Sequence, residues 1–543
     1  MKTLKVFTTL LLLYCIVFHQ QLFAQGLHYN ASAVLDTGNI AATINSNGLL
    51  FSKIDVNGAG TTVNIQPGFE VPKGSNVHAT FAADLWIGGL DDQGQLHMAA
   101  STYRQAGDDF FPGPINLSGV AGDTGTWDQV WKVGKKEIEY HKNHYADAGY
   151  ALPSGIAGWP GNGPAGFDAI MAPFADLNNN GIYEPAAGDY PSIYGDQAVY
   201  FIFNDLALPH TETATSALGV ELHGMAYTYS EETNPLLSNC IIFNYILKNK
   251  SANNYHDVYV GLWNDFDLGC YSDDYVGTDV AKNSIFAINA DAVDGPGCAF
   301  NYEDTPPALS ATWLSHPLSK SIGYHNDFSP LGNPENGEDY YGYLHATWKD
   351  GSPLAVDSLH PEGYAGANLA DFYFPGFSDS SVTGQPSNWW WNAGLDPTDI
   401  RMVGSTGPLN LAAQEVLSLE FAYIYNPMNG ADENGAGRLI LSDVIQSVID
   451  QYNAGTISAI HEPLANTVEV QVAPNPFHDF TNISFKGNFE NICIMDLTGR
   501  IVFSETIQGR SSIQLDRIGL ENGMYVVKLI SPHQQLTAKM LIQ

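Results

Sequence analysis

Apolar residues recur at every second position in several stretches of the chain, and that period limits the fold more than any other feature. Val258, Val260 and Leu262 alternate with Tyr259, Gly261 and Trp263, and Leu417, Leu419, Phe421 and Tyr423 alternate with Ser418, Glu420 and Ala422. A period of two sends successive side chains to opposite faces, so such a stretch can bury a coherent face as a β-strand but not as a helix. Gln197–Phe203 and Cys240–Leu247 are more continuously apolar, as strands in the middle of a sheet are. Helical spacing is rare. Leu441, Val444, Ile445, Val448, Ile449 and Tyr452 follow i, i+3, i+4, i+7 before Asn453-Ala454-Gly455, which predicts an amphipathic helix over 438–453; a short second helix is predicted near Lys135–Lys142. The expected fold is mainly β, a β-sandwich-rich body with few short helices. The 53 Gly and 29 Pro supply turns, and 12% aromatic residues exclude disorder for the bulk.

Charge narrows the partners. The chain carries 58 Asp+Glu against 22 Lys+Arg, a formal charge of -36. A field of that sign repels phosphate polyanions, so DNA, RNA and anionic membranes are excluded as partners. The acidity is not spread evenly: residues 469–543 hold seven acids and six bases, and nearly all of the excess lies before them.

The N-terminus reads as a secretory signal peptide over residues 1–24. Lys2 and Lys5 precede an apolar run from Val6 to Phe18, and cleavage is expected between Ala24 and Gln25. The run is too short to span a bilayer, which takes roughly 20 residues, and no later segment is apolar enough, so no transmembrane anchor is expected. Cys240, Cys270, Cys298 and Cys493 remain after cleavage. A Cys270–Cys298 bridge is one reading in an oxidising compartment, and small buried apolar residues is the favoured one.

The last 75 or so residues form their own unit, 468–543, with short alternating stretches at Val468–Val472, Asn482–Phe485, Ile492–Met495, Arg500–Phe503, Ser512–Leu515, Met524–Leu529 and Thr537–Ile542. Seven strands of this length predict a small Ig-like β-sandwich, with Tyr525, Val527 and Leu529 on its core face and turns at Gly499 and Gly523. Pro474-Asn475-Pro476-Phe477, Asp496-Leu497-Thr498-Gly499-Arg500, Asn522-Gly523-Met524-Tyr525 and Lys539-Met540-Leu541 follow one another in order. Together they resemble the C-terminal type A sorting domain of the type IX secretion system of Bacteroidota. The resemblance implies export, recognition by the type IX translocon and its sorting machinery, removal of the domain, and release or attachment to surface lipopolysaccharide. Leu541-Ile542-Gln543 stands where many relatives close on a basic residue.

The acidic body is read as two β-rich parts, 25–195 and 196–455, the second closed by the amphipathic helix, with a linker at 456–467. Ala83-Asp84-Leu85-Trp86-Ile87-Gly88-Gly89, Trp131-Lys132-Val133, Ala172-Pro173-Phe174, Gly195-Asp196-Gln197, Asn254 to Tyr259 and Asp273-Asp274-Tyr275-Val276-Gly277 resemble a family of exported Bacteroidota proteins. That likeness implies location and brings no activity with it.

Two acidic stretches point to calcium. Asp176, Asn178, Asn180 and Glu184 occupy positions 1, 3, 5 and 9 of a loop with Gly181 at 6 and the Ile182 carbonyl at 7, the alternation that turns oxygens inward around a hard cation. Ala187 stands at position 12, and Asp189 is the substitute ligand; the competing reading is an Asx-turn surface loop. The second stretch holds Asp265, Asp267, Asp273, Asp274 and Asp279, which repel one another unless solvated, protonated or neutralised by a cation. A solvated acidic edge and a carboxylate pair for glycoside hydrolysis compete with calcium there. Trp389 and Trp391, two apart in Trp389-Trp390-Trp391, would share one side of an extended segment and could stack on sugar rings, or anchor a loop to the core. No HExxH, GxSxG or phosphate-loop motif occurs. The sequence leaves catalysis open and leans against it. It is read as an exported, calcium-stabilised adhesion or glycan-binding protein, with a secreted hydrolase of polysaccharide or protein, or a structural surface-layer component, as the alternatives.

Overall fold

The computed structural model describes residues 31–56, 62–103, 107–295, 297–376, 378, 395–427, 436–457, 470–485, 489–496, 501–507, 510–517, 520, 522–530 and 535–542. The chain divides into two compact units, residues 1–174 with 182–461 and residues 175–181 with 462–543.

The first unit is built on two antiparallel sheets. The larger runs, from one edge, through Asp274–Asp279, Ser284–Asn289, Ala308–Trp313, Val416–Asn426, Cys240–Asn249, Val220–Thr228, Gln197–Asn204 and Phe111–Pro112, with Trp131–Gly134 also paired to Gln197–Asn204. It therefore takes strands from both sides of residue 195. The smaller sheet runs Lys320–His325, Ile400–Leu411, Tyr255–Asp265, Ala82–Asp91 and Leu96–Ala99. The two face each other: the Trp313 indole N–H of the larger sheet donates to the Gly404 carbonyl of the smaller at 3.1 Å, and Phe243 stacks on Phe421 at 4.8 Å in the core.

The alternation at Val258–Trp263 does not separate core from solvent. Both faces of Tyr255–Asp265 are covered, because the helix Gly337–Leu344 packs on the far side of the smaller sheet and buries Tyr340, Tyr343 and Leu344. Trp263 stacks on Trp86 there, and the Trp86 ring meets the edge of Tyr340 at 4.7 Å. Asn336 caps this helix by accepting from the Glu338 and Asp339 N–H groups. The two helices read from spacing are present as Lys135–His144 and Ala436–Asn453. Leu441, Ile445 and Val448 of the latter are buried, as its period requires.

Among the described residues the second unit carries seven strands in two antiparallel sheets, Val470–Ala473, Phe480–Phe485 and Ser512–Asp516 in one, and Ile501–Thr506, Asn491–Asp496, Gly523–Ile530 and Gln535–Ile542 in the other. Ile483, Phe485, Ile513 and Leu515 of the first share one core with Ile492, Ile494, Tyr525, Val527, Leu529 and Met540 of the second.

Candidate metal centre

The strand Tyr255–Asp265 runs out at Asp265, and the chain turns before returning as Asp274–Asp279, whose first residue stands directly opposite Asn289 on the next strand. A disulfide between Cys270 and Cys298 closes this region, with Cα atoms 5.5 Å apart. The bridge corrects the favoured sequence reading of these two cysteines as apolar filler; Cys240 and Cys493 are free and buried.

The five aspartates of the stretch go to three different places. Asp265 is buried against Arg401, whose Nε lies 3.0 Å from Oδ1 and whose Nη1 reaches Asp399 at 2.7 Å. Asp265, Asp267 and Asp399 bring carboxylate oxygens within 4.8 Å of one another, and the guanidinium, itself only 2% exposed, supplies a fixed positive charge there. Asp279 faces the C-terminal helix of the body and accepts from the Ser442 hydroxyl at 2.5 Å.

Asp273 and Asp274 are joined instead by Asp294, which the sequence did not single out. The Gly295 N–H donates to Asp273 Oδ2 at 2.7 Å, the Leu268 N–H to Asp274 Oδ2 at 2.8 Å, and the Cys270 and Tyr302 N–H groups to the two oxygens of Asp294 at 3.1 and 2.5 Å. Backbone thus orients one oxygen each of Asp273 and Asp274 and both oxygens of Asp294. The other oxygens of Asp273 and Asp274, with the side-chain oxygen of Asn289, are buried and accept no hydrogen bond. Cys270, Asp273 and Asp294 place their ligand atoms within 4.8 Å of one another, but the Cys270 sulfur is consumed in the disulfide, so the donors left are oxygens. Close approach explains two glycines: Gly269 has φ +77° and a Cβ there would lie 2.0 Å from Asp294 Oδ2, and Gly295 has φ +65° and a Cβ there would lie 2.6 Å from the Cys270 Cβ.

The electrostatics follow. Burial first, then the charges of Asp273, Asp267 and Asp294, push the Asp274 carboxyl well above the usual carboxylate range, and burial with Asp273 and Asp291 lifts Asp294 to about 6. Among the described residues no Lys, Arg or His forms an ion pair with Asp273, Asp274 or Asp294.

The other stretch is shaped by backbone capping. In residues 175–181, Asp176 is buried and accepts from the Gly181 N–H at 2.7 Å and the Asn180 N–H at 3.3 Å, while Asn178 accepts from the Asn180 N–H at 3.1 Å. In the body, Asp189 is buried and accepts from the Glu184 N–H at 2.8 Å; Ile182 and Glu184 are exposed. Trp389, Trp391, Gly499, Arg500, Ala24 and Gln25 lie outside the described residues. In the tail, Pro474, Asn475 and Pro476 are exposed; the Leu541 N–H donates to the Asn475 side chain at 2.8 Å and the Thr481 hydroxyl to the Pro474 carbonyl at 2.7 Å. Gly523 opens a strand and Tyr525 is buried in the tail's core.

Two buried histidines sit against other interior acids of the body. Both ring nitrogens of His210 face carbonyl oxygens, Met98 O at 2.8 Å and Asp205 O at 2.6 Å, which can only accept. The ring therefore carries both protons and sits between the carboxylates of Asp109 and Asp205, at 3.7 and 3.8 Å. On the outer face of the larger sheet, His223 bonds Glu221 at 2.6 Å and Tyr200 at 2.8 Å, and Lys248 bridges Glu221 and Asp168. Burial opposes ionisation of Glu221, but the hydrogen bond to His223 and the charge of Lys248 outweigh it and hold its carboxyl at about 2, while burial and Lys248 push the His223 imidazole down.

Residues 471–543 match the model of the secretion system C-terminal sorting domain. A search of curated proteins found no match. A solved polysaccharide lyase aligns over 63% of this chain with 10% identity and a TM-score of 0.20, a likeness too low to carry an argument; the chain covers 39% of that structure's length. No helix among the described residues is long and apolar enough to cross a membrane. The tail is a type IX secretion sorting domain, which engages that system's machinery and directs the protein to the cell surface or the extracellular space.

Proposed function

We propose that the body is a calcium-stabilised adhesion or glycan-binding protein, delivered by the type IX system and either released or held on surface lipopolysaccharide. The observation that carries this reading is the rim of the acidic centre. Tyr271 follows Cys270 and is 53% exposed, and Phe300 lies two residues beyond Cys298 and is 57% exposed, so two solvent-facing aromatic rings flank one disulfide in sequence. Aromatic faces stack on the apolar faces of sugar rings at small entropic cost, and neighbouring carboxylates accept hydrogen bonds from sugar hydroxyls. Trp389 and Trp391 belong to this reading as a second stacking platform, and the body's calcium affinity is around 10⁻⁴ M, in the extracellular range.

The test is a glycan array probed with the mature protein in calcium and in chelator. Calcium-dependent binding that weakens about tenfold in Tyr271→Ala or Phe300→Ala, equivalent to about 1.4 kcal/mol, is the expected result. A flat array removes the adhesion reading. Oligosaccharide or peptide products released from polymer would instead establish the secreted hydrolase, and ordered self-assembly without ligand the surface-layer component.

A further inference from the structure

We infer that Asp273, Asp274, Asn289 and Asp294 form a binding site for one hard divalent cation, calcium by its donor set, held shut by the Cys270–Cys298 disulfide. The inference rests on the calcium part of the reading above and names the ligands. Acidity alone would not single out this place, since the body is acidic throughout. What does is the state of particular atoms. Asp274 is 3% exposed, and its Oδ1 is buried with no hydrogen-bond partner while its Oδ2 is fixed by the Leu268 N–H. The groups that act on its charge are Asp273, Asp294 and Asp267, so the orphan oxygen belongs to an all-acid neighbourhood. Asn289, also 3% exposed, faces it across the strand pair and has its own buried oxygen without a partner, although its amide nitrogen is bound to the Asp291 carbonyl at 2.9 Å. Asp273 adds a third such oxygen.

Buried polar atoms are nearly always satisfied, and an unpaired buried acceptor costs about 1–3 kcal/mol, more when it is charged. Asp274 and Asn289 stand opposite one another in the strand pair, and Asp273 and Asp294 bring carboxylate oxygens within 4.8 Å of each other, so one cation between the two pairs would serve all three open oxygens. Every available donor atom is an oxygen, three ligands are carboxylates and one is an amide carbonyl. That is the set a hard ion takes, and its irregular geometry suits calcium better than the strict octahedron of magnesium. A doubly charged ion would offset most of the three negative charges. The disulfide and two glycines let Asp294 approach the 268–274 turn from a distant part of the chain, so the set exists only in the folded, oxidised protein.

The experiment adds calcium alone to the mature protein after chelator treatment. Bound calcium is counted by isothermal titration, and melting is followed by tryptophan fluorescence with and without the ion. At a dissociation constant near 10⁻⁴ M, millimolar calcium should favour the bound form about tenfold and raise the melting temperature by about 2 °C or more. The variant Asp273→Asn with Asp274→Asn keeps the shapes and removes two charges. It should bind one fewer calcium, melt above the wild type in chelator because the repulsion is relieved, and melt below it in calcium. The same stoichiometry in both proteins, or the same order of melting in both media, overturns the site. Should the variant not fold, terbium luminescence of the wild-type protein decides: sensitised emission displaced by calcium supports the site, and its absence together with calcium-independent melting overturns it. Calcium binding with a flat glycan array would sustain the site and sink adhesion, and glycan binding unaffected by chelator with no calcium uptake would do the reverse.

Discussion

Replacing His210 by Gln should be among the most damaging single changes in the body, and its effect should depend on pH in a defined direction. Burial alone would push the imidazole pKa down, but the carboxylates of Asp109 and Asp205 outweigh it and hold it above the ordinary histidine value. Glutamine keeps a donor but no charge, which leaves two carboxylates in the interior without their cation. Breaking a buried charge network in this way costs about 3–5 kcal/mol. The lower end applies, because Asp109 also accepts from the Thr213 hydroxyl at 2.7 Å and the Glu212 N–H at 3.0 Å, and Asp205 from the Leu218 and Val220 N–H groups at 2.5 and 2.7 Å. All 10 Trp precede the sorting domain, so tryptophan fluorescence in a urea titration reads the body alone. With a slope of about 3 kcal/mol/M, the midpoint should fall by about 1 M at pH 6. A histidine whose native pKa is raised contributes its full stabilisation below the unfolded value near 6.5 and loses it as pH rises through the native value. The gap between the two proteins should therefore narrow from pH 6 to pH 9. An equal gap at both pH values, or a midpoint unchanged at pH 6, would refute the buried imidazolium.

Two further outcomes test the neighbouring devices. Cys270→Ser with Cys298→Ser opens a loop of 28 residues, and chain entropy predicts a loss of about 3–4 kcal/mol in the same titration; a loss under 1 kcal/mol would show that the bridge constrains nothing the fold does not already hold. Arg401→Met should cost about 3–5 kcal/mol by leaving Asp265 and Asp399 without a cation, and adding Asp265→Asn should recover a large part of it; strictly additive losses in that double-mutant cycle would mean that Arg401 is not the charge that balances Asp265.

The strands were legible because their signal is local. Cys240–Leu247 and Leu417–Tyr423 fall within the observed Cys240–Asn249 and Val416–Asn426, and the seven predicted stretches of the tail all overlap observed strands. The helix Gly337–Leu344 was not legible: its Gly-Glu-Asp-Tyr-Tyr-Gly-Tyr-Leu sequence has two glycines and no apolar stripe, and tyrosines packed against Trp86 and Tyr324 place it. The acidic stretch was legible as a density of charge but not as a geometry. Asp265 finds its partner 136 residues away in Arg401, and Asp279 finds Ser442, 163 residues away, on a helix. Asp294 and Asn289 lie outside the window that spacing selects. The one clue within the sequence was the Cys270–Cys298 pair, since a bridge there would have drawn residues 289–298 toward 270–274.

The excess of acid takes a different meaning once several interior carboxylates are matched to what neutralises them. Asp109 and Asp205 share His210, Glu221 has Lys248, and Asp265 has Arg401. Asp84 and Glu212 have no ion pair, but Asp84 is hydrogen-bonded to Ser101 and Glu212 to Tyr340, and burial drives both pKa values up, so a bound proton serves there. Before the sorting domain and after the signal peptide, 51 acids share 14 lysines and arginines, and those bases that reach the interior are committed to particular partners. Asp273, Asp274 and Asp294 differ from all of these. Asp273 and Asp274 have neither a base nor a hydroxyl on their open oxygens, and burial among like charges raises all three carboxyls, while the backbone N–H groups oppose that shift at the oxygens they orient. A proton could neutralise one carboxylate at a time but would leave the oxygens of its neighbours facing each other. A divalent ion from the medium satisfies several together, and an exported protein meets calcium at concentrations that a site of modest affinity can use. Export and the incomplete charge balance of this loop are thereby linked: the centre is completed in the compartment to which the tail delivers it.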